Sequence, residues 1–306
     1  MASRPPPDPP TTSVAHLETD EQAVRRLADL AVESFAAEDV AVSLVDGGGG
    51  LWQVAIYFRA PPDREAVRAA VASAAGRKSA RALSFARVRT TDWVRASLTG
   101  LAPVAAGRFV VHGAHDRARI PVNRISIEIE AALAFGTGHH GTTRGCLLAL
   151  DGLCKSLPGE RRGQRLLDLG TGSGVLAIAA ARALRRRVLA TDIDANAVRV
   201  ARANARLNRV GAMLKAVKAD GVTDRSVRQR APFDLVFANI LLGLLQRIAA
   251  PLKRLMAPGG RIVVSGLLPG QANAAIAAYR PLILERRIDL DGWTTLVLMR
   301  RRRTPV

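Results

Sequence analysis

Residues 166–174 read Leu166-Leu167-Asp168-Leu169-Gly170-Thr171-Gly172-Ser173-Gly174, and a second acidic turn, Thr191-Asp192-Ile193-Asp194, follows. The apolar residues before Gly170 suit a buried parallel strand, and the run from Val175 to Ala181 has the Ala and Leu content of a helix. Gly170, Gly172 and Gly174 therefore fall in a strand-to-helix turn, where a missing Cβ lets the backbone approach a ligand. A dinucleotide fingerprint needs G-x-G-x-x-G, but here the third glycine comes one residue early and Val175 takes the later place. Asp168, two positions before the first glycine, suits a cofactor carrying an ammonium and a sulfonium, and would repel a pyrophosphate. Asp192, behind Val188-Leu189-Ala190, is expected at the tip of the next strand, where it can accept hydrogen bonds from ribose hydroxyls. A tight ligand-free turn would use the same glycines but leaves both carboxylates unexplained. The pattern favours S-adenosylmethionine over a dinucleotide.

With 306 residues and 48% hydrophobic content, the chain has room for one large and one smaller domain. It has no apolar run near the roughly 18 to 20 residues a membrane helix needs, and its start lacks a secretory signal core. A cytoplasmic protein without membrane contact, acting as a monomer, is expected. Cys146 and Cys154 lie eight apart in one expected helix, about 12 Å at 1.5 Å per residue, too far to pair. They read as core residues. The excess of 45 basic over 26 acidic residues gives +19, a field that draws acidic partners, ribosomal RNA among them. The charges are spread along the chain and aromatics are only 4%, which argues for non-specific contact rather than base stacking. Arg185-Arg186-Arg187 reads as a solvated loop and Arg300 to Arg303 as a charged chain end.

Residues 1–10, half proline, read as a disordered tail. Residues 11–90 follow in the order βαββαβ: a stretch at 12–17, a helix capped by Thr19, a hairpin of Val40 to Val45 and Leu51 to Phe58, a helix opened by Pro61-Pro62 and running to about Ala75, and a strand at Leu83 to Val88. That is the order of a small ferredoxin-like α+β domain, read here as a substrate-recognition unit. Residues 91–130 read as a linker and entrance segment, with strands at 108–112 and 125–130. From 131 to 306 strands and helices alternate, with strands near 164–169, 187–191, 213–218, 233–238 and 260–266 and a final pair across 281–299. The fold class expected is α/β, a doubly wound seven-stranded sheet closed by an antiparallel hairpin. Ligands of such sheets bind beyond the carboxyl ends of the strands, where Gly170, Asp192, Asp220 and Asn239 fall.

Two further motifs border that cleft. The loop Phe135-Gly136-Thr137-Gly138-His139-His140-Gly141-Thr142-Thr143 leads into a helix at 144–153, and a helix start with free N–H groups and two hydroxyls suits a carboxylate. The paired histidines have no third ligand nearby, so no metal is expected. The apolar strand Phe233 to Ala238 ends abruptly at Asn239. With these motifs, the Asp192 turn, Ala238-Asn239-Ile240-Leu241, Pro258-Gly259-Gly260 and Ser265-Gly266-Leu267-Leu268 in order, the chain resembles the PrmA family, bacterial methyltransferases of large-subunit ribosomal protein eleven. The resemblance is clear over most of 92–300, from Asp92-Trp93, and looser before it. The phenylalanine-glycine-threonine-glycine loop is its discriminating motif, because the glycine turn is common to class I methyltransferases.

The resemblance implies a Rossmann-like class I fold, protein N-methyl transfer from S-adenosylmethionine, and cofactor contacts at Thr143, Gly170, Asp192 and Asn239. It also implies that Asp220-Gly221 reads adenine. The chain departs from the family pattern at Glu130-Ala131-Ala132, Gly141 and Ser97, all around the linker and entrance. A sulfonium methyl is already electrophilic, so such an enzyme needs mainly to hold a neutral amine in line, at about 3 to 3.5 Å. The amine, with a pKa near 10.4 for lysine or near 8 for an α-amine, must first lose a proton. Asn239, through its side-chain oxygen, and Thr142 are the residues expected to orient the lone pair. A different protein lysine or an RNA base is the alternative substrate, though Ile240-Leu241-Leu242 offers no aromatic to stack a base. A non-catalytic ribosome-docking factor is the remaining alternative.

Overall fold

The computed structural model describes residues 11–20, 23, 27, 40–48, 51–58, 61–89, 103–129, 141–156 and 165–302. The proline-rich start, most of the first expected helix, Asp92-Trp93, and the loop from Phe135 to His140 lie outside the described residues. The chain divides into two compact units, Met1–Ser97 and Leu98–Val306.

The first unit carries β1 (Thr11–Asp20), β2 (Val40–Gly48), β3 (Leu51–Phe58), α1 (Arg64–Ala82) and β4 (Ser84–Arg89). Its sheet has the order β2-β3-β1-β4 with antiparallel neighbours. The period-2 pattern of β3 puts Val54, Ile56 and Phe58 on the core, against Val67 and Val71 of α1. Thr19 does not cap the first helix as the sequence suggests. It is a buried residue of β1, and Asp20 Oδ1 accepts the Ala23 N–H at 2.8 Å, a stronger acceptor one residue later. Similarly, α1 is capped by Asp63, which accepts from Glu65 and Ala66. The helix breaks at Gly76, whose φ of 84° only glycine adopts without strain, and then resumes to Ala82.

The second unit opens with β5 (Val104–Ala106), β6 (Phe109–His112) and β7 (Ile125–Glu128), β6 antiparallel to β5 and parallel to β7. This small sheet lies inside the stretch read as a linker. Its Phe109, Val111 and Ile127 are buried in the core of the second unit, and β5 is too short to show a periodicity. The chain continues through α2 (Gly141–Ser156), β8 (Leu166–Leu169), α3 (Val175–Leu184), β9 (Val188–Asp192), α4 (Ala195–Leu207) and β10 (Leu214–Lys218). A short helical turn at Arg225–Arg228 precedes β11 (Phe233–Asn239), α5 (Leu242–Leu255), β12 (Met256–Leu267), α6 (Ala272–Ala278), β13 (Ile283–Leu290) and β14 (Trp293–Met299).

The large sheet has the order β10-β9-β8-β11-β12-β14-β13, parallel except that β14 runs antiparallel to both neighbours. This is the seven-stranded doubly wound sheet the alternation predicts. Successive residues of β11 serve opposite faces: Leu235 and Phe237 join a core under α2, α3 and α4, while Val236 and Ala238 join one under α5 and α6. The closing hairpin turns at Asp291-Gly292, both with positive φ (51° and 75°), as a tight two-residue turn requires. Its tip packs on the start of α2: Arg144 Nη1 donates to Asp291 Oδ2 at 2.6 Å, and a Cβ at Gly141 would lie 2.8 Å from the Leu290 carbonyl.

Two expectations are revised at the far end of this sheet. β12 begins at Met256 rather than near 260 and passes Pro258-Gly259-Gly260 by a register shift against β11, with Gly259 at φ 77°. Arg300 is not a solvated end residue. Its guanidinium donates to the Lys253 and Met256 carbonyls at 3.1 and 2.5 Å, satisfying the carbonyls that α5 leaves free at its terminus. Cys146 and Cys154 are free thiols on α2, Cys146 fully buried with its pKa pushed up to about 12 by burial. No helix among the described residues is long and apolar enough to cross a membrane.

Candidate functional site

Strands β8 and β11 are neighbours, and the chain winds outward from them in opposite directions, through β9 and β10 on one side and β12 on the other. A crevice opens at such a switch point, beyond the carboxyl ends of the strands. Gly170 follows β8 and Asn239 ends β11, so the two faces of this crevice carry the glycine turn and the asparagine. They approach closely: a Cβ on Gly170 would stand 2.7 Å from Ile240 Cγ2.

The turn is built by its own residues. Gly170, Gly172 and Gly174 have φ of 65°, 52° and 84°, so all three sites demand the left-handed region. A Cβ at Gly174 would also meet Ala201 of α4 at 3.1 Å, so this glycine sets how closely α3 and α4 pack. The Asp168 side chain is 1% exposed, and its Oδ2 accepts from Thr171 Oγ1 at 2.6 Å and from the Ala177 N–H at 3.2 Å. One of its oxygens therefore braces the turn from beneath. Burial, reinforced by the charge of Asp192, pushes its pKa up to about 7 against these two hydrogen bonds. A carboxyl so perturbed favours a nearby cation.

Asp192 ends β9 half-buried, as expected, with a second task. Its Oδ2 accepts the Gly172 N–H at 2.9 Å and its Oδ1 the Asp194 N–H at 3.0 Å. Each carboxylate oxygen keeps lone-pair capacity for a further donor. Ile193 beside it is 51% exposed, an apolar surface at the mouth of the crevice. Asp220 is exposed beyond β10, and its side chain makes no capping hydrogen bond.

On the opposite side, Asn239 Nδ2 donates to Thr142 Oγ1 at 3.4 Å, which joins the two residues expected to orient an amine. That donation turns the carboxamide oxygen of Asn239 to the other side. The described helix includes Gly141, three residues ahead of the expected 144, so Thr142 and Thr143 are helical. Thr143 Oγ1 is buried without a hydrogen-bond partner, which is costly unless a ligand completes it.

Four residues that hold this arrangement were not assigned a role from the sequence. Ser265 Oγ donates to the Thr142 carbonyl at 3.2 Å and pairs with Thr295 Oγ1 at 2.7 Å, anchoring the start of α2 to β12 and β14. Asn204 Nδ2 donates to the Ser173 carbonyl at 2.8 Å, bracing the glycine turn from α4. Asn208 receives the Glu128 N–H at 2.9 Å and donates to the Glu128 carbonyl at 2.6 Å, pinning the end of β7. The available signal was an Asn pair four residues apart on the otherwise apolar face of α4, beside Val198, Ala201 and Ala205. The loop ahead of Gly141, including His139-His140, lies outside the described residues. Among the described residues no group of three or more His, Cys, Asp or Glu could hold a metal ion.

A strand order of 3-2-1-4-5-7-6, a three-glycine turn after the first strand and a carboxylate at the tip of the second define the class I methyltransferase fold. The profile of the family described as ribosomal protein L11 methyltransferase (PrmA) matches residues 14–301. The chain belongs to that family. It is 51% identical to the ribosomal protein L11 methyltransferase of Rhodopseudomonas palustris over 281 residues, covering 91% of this chain and 94% of that protein. The namesake of Bradyrhizobium diazoefficiens is 51% identical over 280 residues, with 91% and 94% covered. The crystal structure of the ribosomal protein L11 methylase of Lactobacillus delbrueckii superposes with a TM-score of 0.57 at 25% identity, over 66% of this chain and all of that one.

Proposed function

We propose that this protein methylates amines of ribosomal protein L11, lysine side chains and the N-terminal α-amine among them, with S-adenosylmethionine as donor. The observation that carries the proposal is the Asn239–Thr142 pair standing across the switch-point crevice from the glycine turn, in a chain of this family. The residues present fit the donor. Its ammonium and sulfonium suit the perturbed Asp168, and its carboxylate suits the N-terminal segment of α2 with the unpartnered Thr143 hydroxyl. Asp192 has acceptor capacity for the ribose, Ile193 offers an apolar face to the adenine, and Asp220 stands where its edge would be read. When bound, the donor supplies an electrophilic methyl on a positive sulfur.

The chain's own part is to select and hold a neutral amine. A desolvated crevice disfavours the ammonium form and so helps the amine lose its proton to solvent. Asn239, fixed through Thr142, accepts an N–H bond with its free carboxamide oxygen and aims the lone pair into the crevice. No residue is asked to act as a nucleophile. The first unit, read as ferredoxin-like from its β2-β3-β1-β4 order, would recognise the substrate protein, and the enzyme would act as a cytoplasmic monomer.

The test is incubation of the purified protein with tritiated S-adenosylmethionine and ribosomal proteins from a methylation-deficient strain, with labelled residues mapped by mass spectrometry. Label on L11 amino groups is the expected result. Label on a different protein or on RNA overturns the substrate, and cofactor binding without any label overturns the transfer itself.

A further inference from the structure

From Ala195 to Ala219 the chain carries six basic residues and no acidic one. Arg199, Arg202, Arg206 and Arg209 recur at intervals of three, four and three, so they form one row along α4 and its end. All four are exposed. The row meets the sheet at its edge strand: the Arg202 fork donates twice to the Ala216 carbonyl of β10, at 3.0 and 2.6 Å, and the exposed Lys215 and Lys218 flank that position. None of the six has an acidic partner among the ion pairs of the described residues.

The same face shows unrelieved charge where it continues toward the start of β9. Burial, and then the nearby charge of Arg209, push the Arg182 guanidinium below its ordinary range. The segment Arg185-Arg186-Arg187 enters β9 beside Met213, whose carbonyl takes the Val188 N–H, and Arg186 Nε is buried there without a partner. Like charges held together unpaired cost stability, and a counter-anion removes that cost.

We propose that this face, α4 with the β10 edge, docks the phosphate backbone of RNA. A ribosomal protein, itself made to sit on RNA, offers little negative charge to it, so the face complements the RNA around such a substrate. A membrane is the poorer match, because the apolar side of α4, with Val198, Val200, Ala201 and Ala205, is buried and cannot insert. With aromatics at 4% of the chain, the contact is to backbone rather than to stacked bases, and so is sequence-tolerant and strongly salt-dependent.

RNA docking by this face is independent of methyl transfer and is measured apart from it. The full chain is titrated into a fluorescent RNA hairpin over a range of salt. It is compared with Arg199→Gln/Arg206→Gln/Lys215→Gln and with a charge-matched control on other surfaces, Arg228→Gln/Arg247→Gln/Arg254→Gln, all checked for unchanged melting. The face variant is expected to lose affinity about tenfold or more at moderate salt, with the slope of log affinity against log salt shallower by about 2 to 3. The control is expected to keep both. Equal loss in the two variants, no RNA binding by the wild type, or equally tight binding of phosphatidylglycerol vesicles through the same three side chains would each overturn the proposal.

Discussion

Replacing Asp168 by Asn isolates the carboxyl beneath the glycine turn. In the folded protein its pKa lies near 7, against 3.8 for the free side chain, chiefly because it is buried. A group whose folded pKa is raised stabilises the fold fully below its unfolded value and loses that contribution as pH climbs through the folded value. The window here therefore runs from 3.8 to about 7. At 1.36 kcal/mol per pH unit, the span corresponds to about 4 kcal/mol. Asn has the same shape, can still accept from Thr171 and Ala177, and does not titrate. Urea unfolding of the cofactor-free proteins should show wild-type stability falling by about 4 kcal/mol relative to Asp168→Asn between about pH 4 and pH 8. Groups common to both proteins cancel in that difference. A bound cation reverses the preference, so S-adenosylmethionine should release a proton on binding below pH 7, seen by calorimetry in buffers of different ionisation enthalpy. A stability difference constant to within about 0.5 kcal/mol across the window would refute the burial argument.

Gly170→Ala should cost roughly 1–2 kcal/mol for a left-handed Cβ, melting the second unit a few degrees lower, while the clash toward Ile240 weakens cofactor binding in calorimetry. Asn239→Ala should leave melting unchanged and lower kcat by about 10² or more; near wild-type turnover would remove the residue from the reaction. Asn208→Ala strips both partners from the buried main chain of Glu128 and should destabilise by about 2–4 kcal/mol, with faster amide exchange through β7 as the local readout.

The catalytic half of the chain was largely legible because its signals are local. The hydrophobic run of β8, the three glycines and Asp192 each follow from backbone conformation and strand ends, and they fall where expected. Gly141 to Thr143 are helical although glycine and β-branched threonine are weak helix formers, so propensity alone places the helix later. Arg300 reads as a charged chain end because its partners, the end of α5, lie 44 and 47 residues earlier. Asn204 and Asn208 look like ordinary helix residues until the fold shows what they bury against. Asp168 stands at the end of β8 as the pattern suggests, but its bond to Thr171 depends on how the turn closes over it, which no local signal shows.

The tip of a β-hairpin is where protein engineers usually open a chain, to insert a tag, a reporter or a new pair of ends. The Asp291-Gly292 tip is a poor choice. With Arg144 clasping Asp291 and Gly141 seated against Leu290, any added residue pushes on the helix turn that carries Thr142 and Thr143. An insertion there would be read out as lost cofactor affinity in a protein that still folds. The turn at Arg228-Gln229, exposed at both residues, is the safer place to cut.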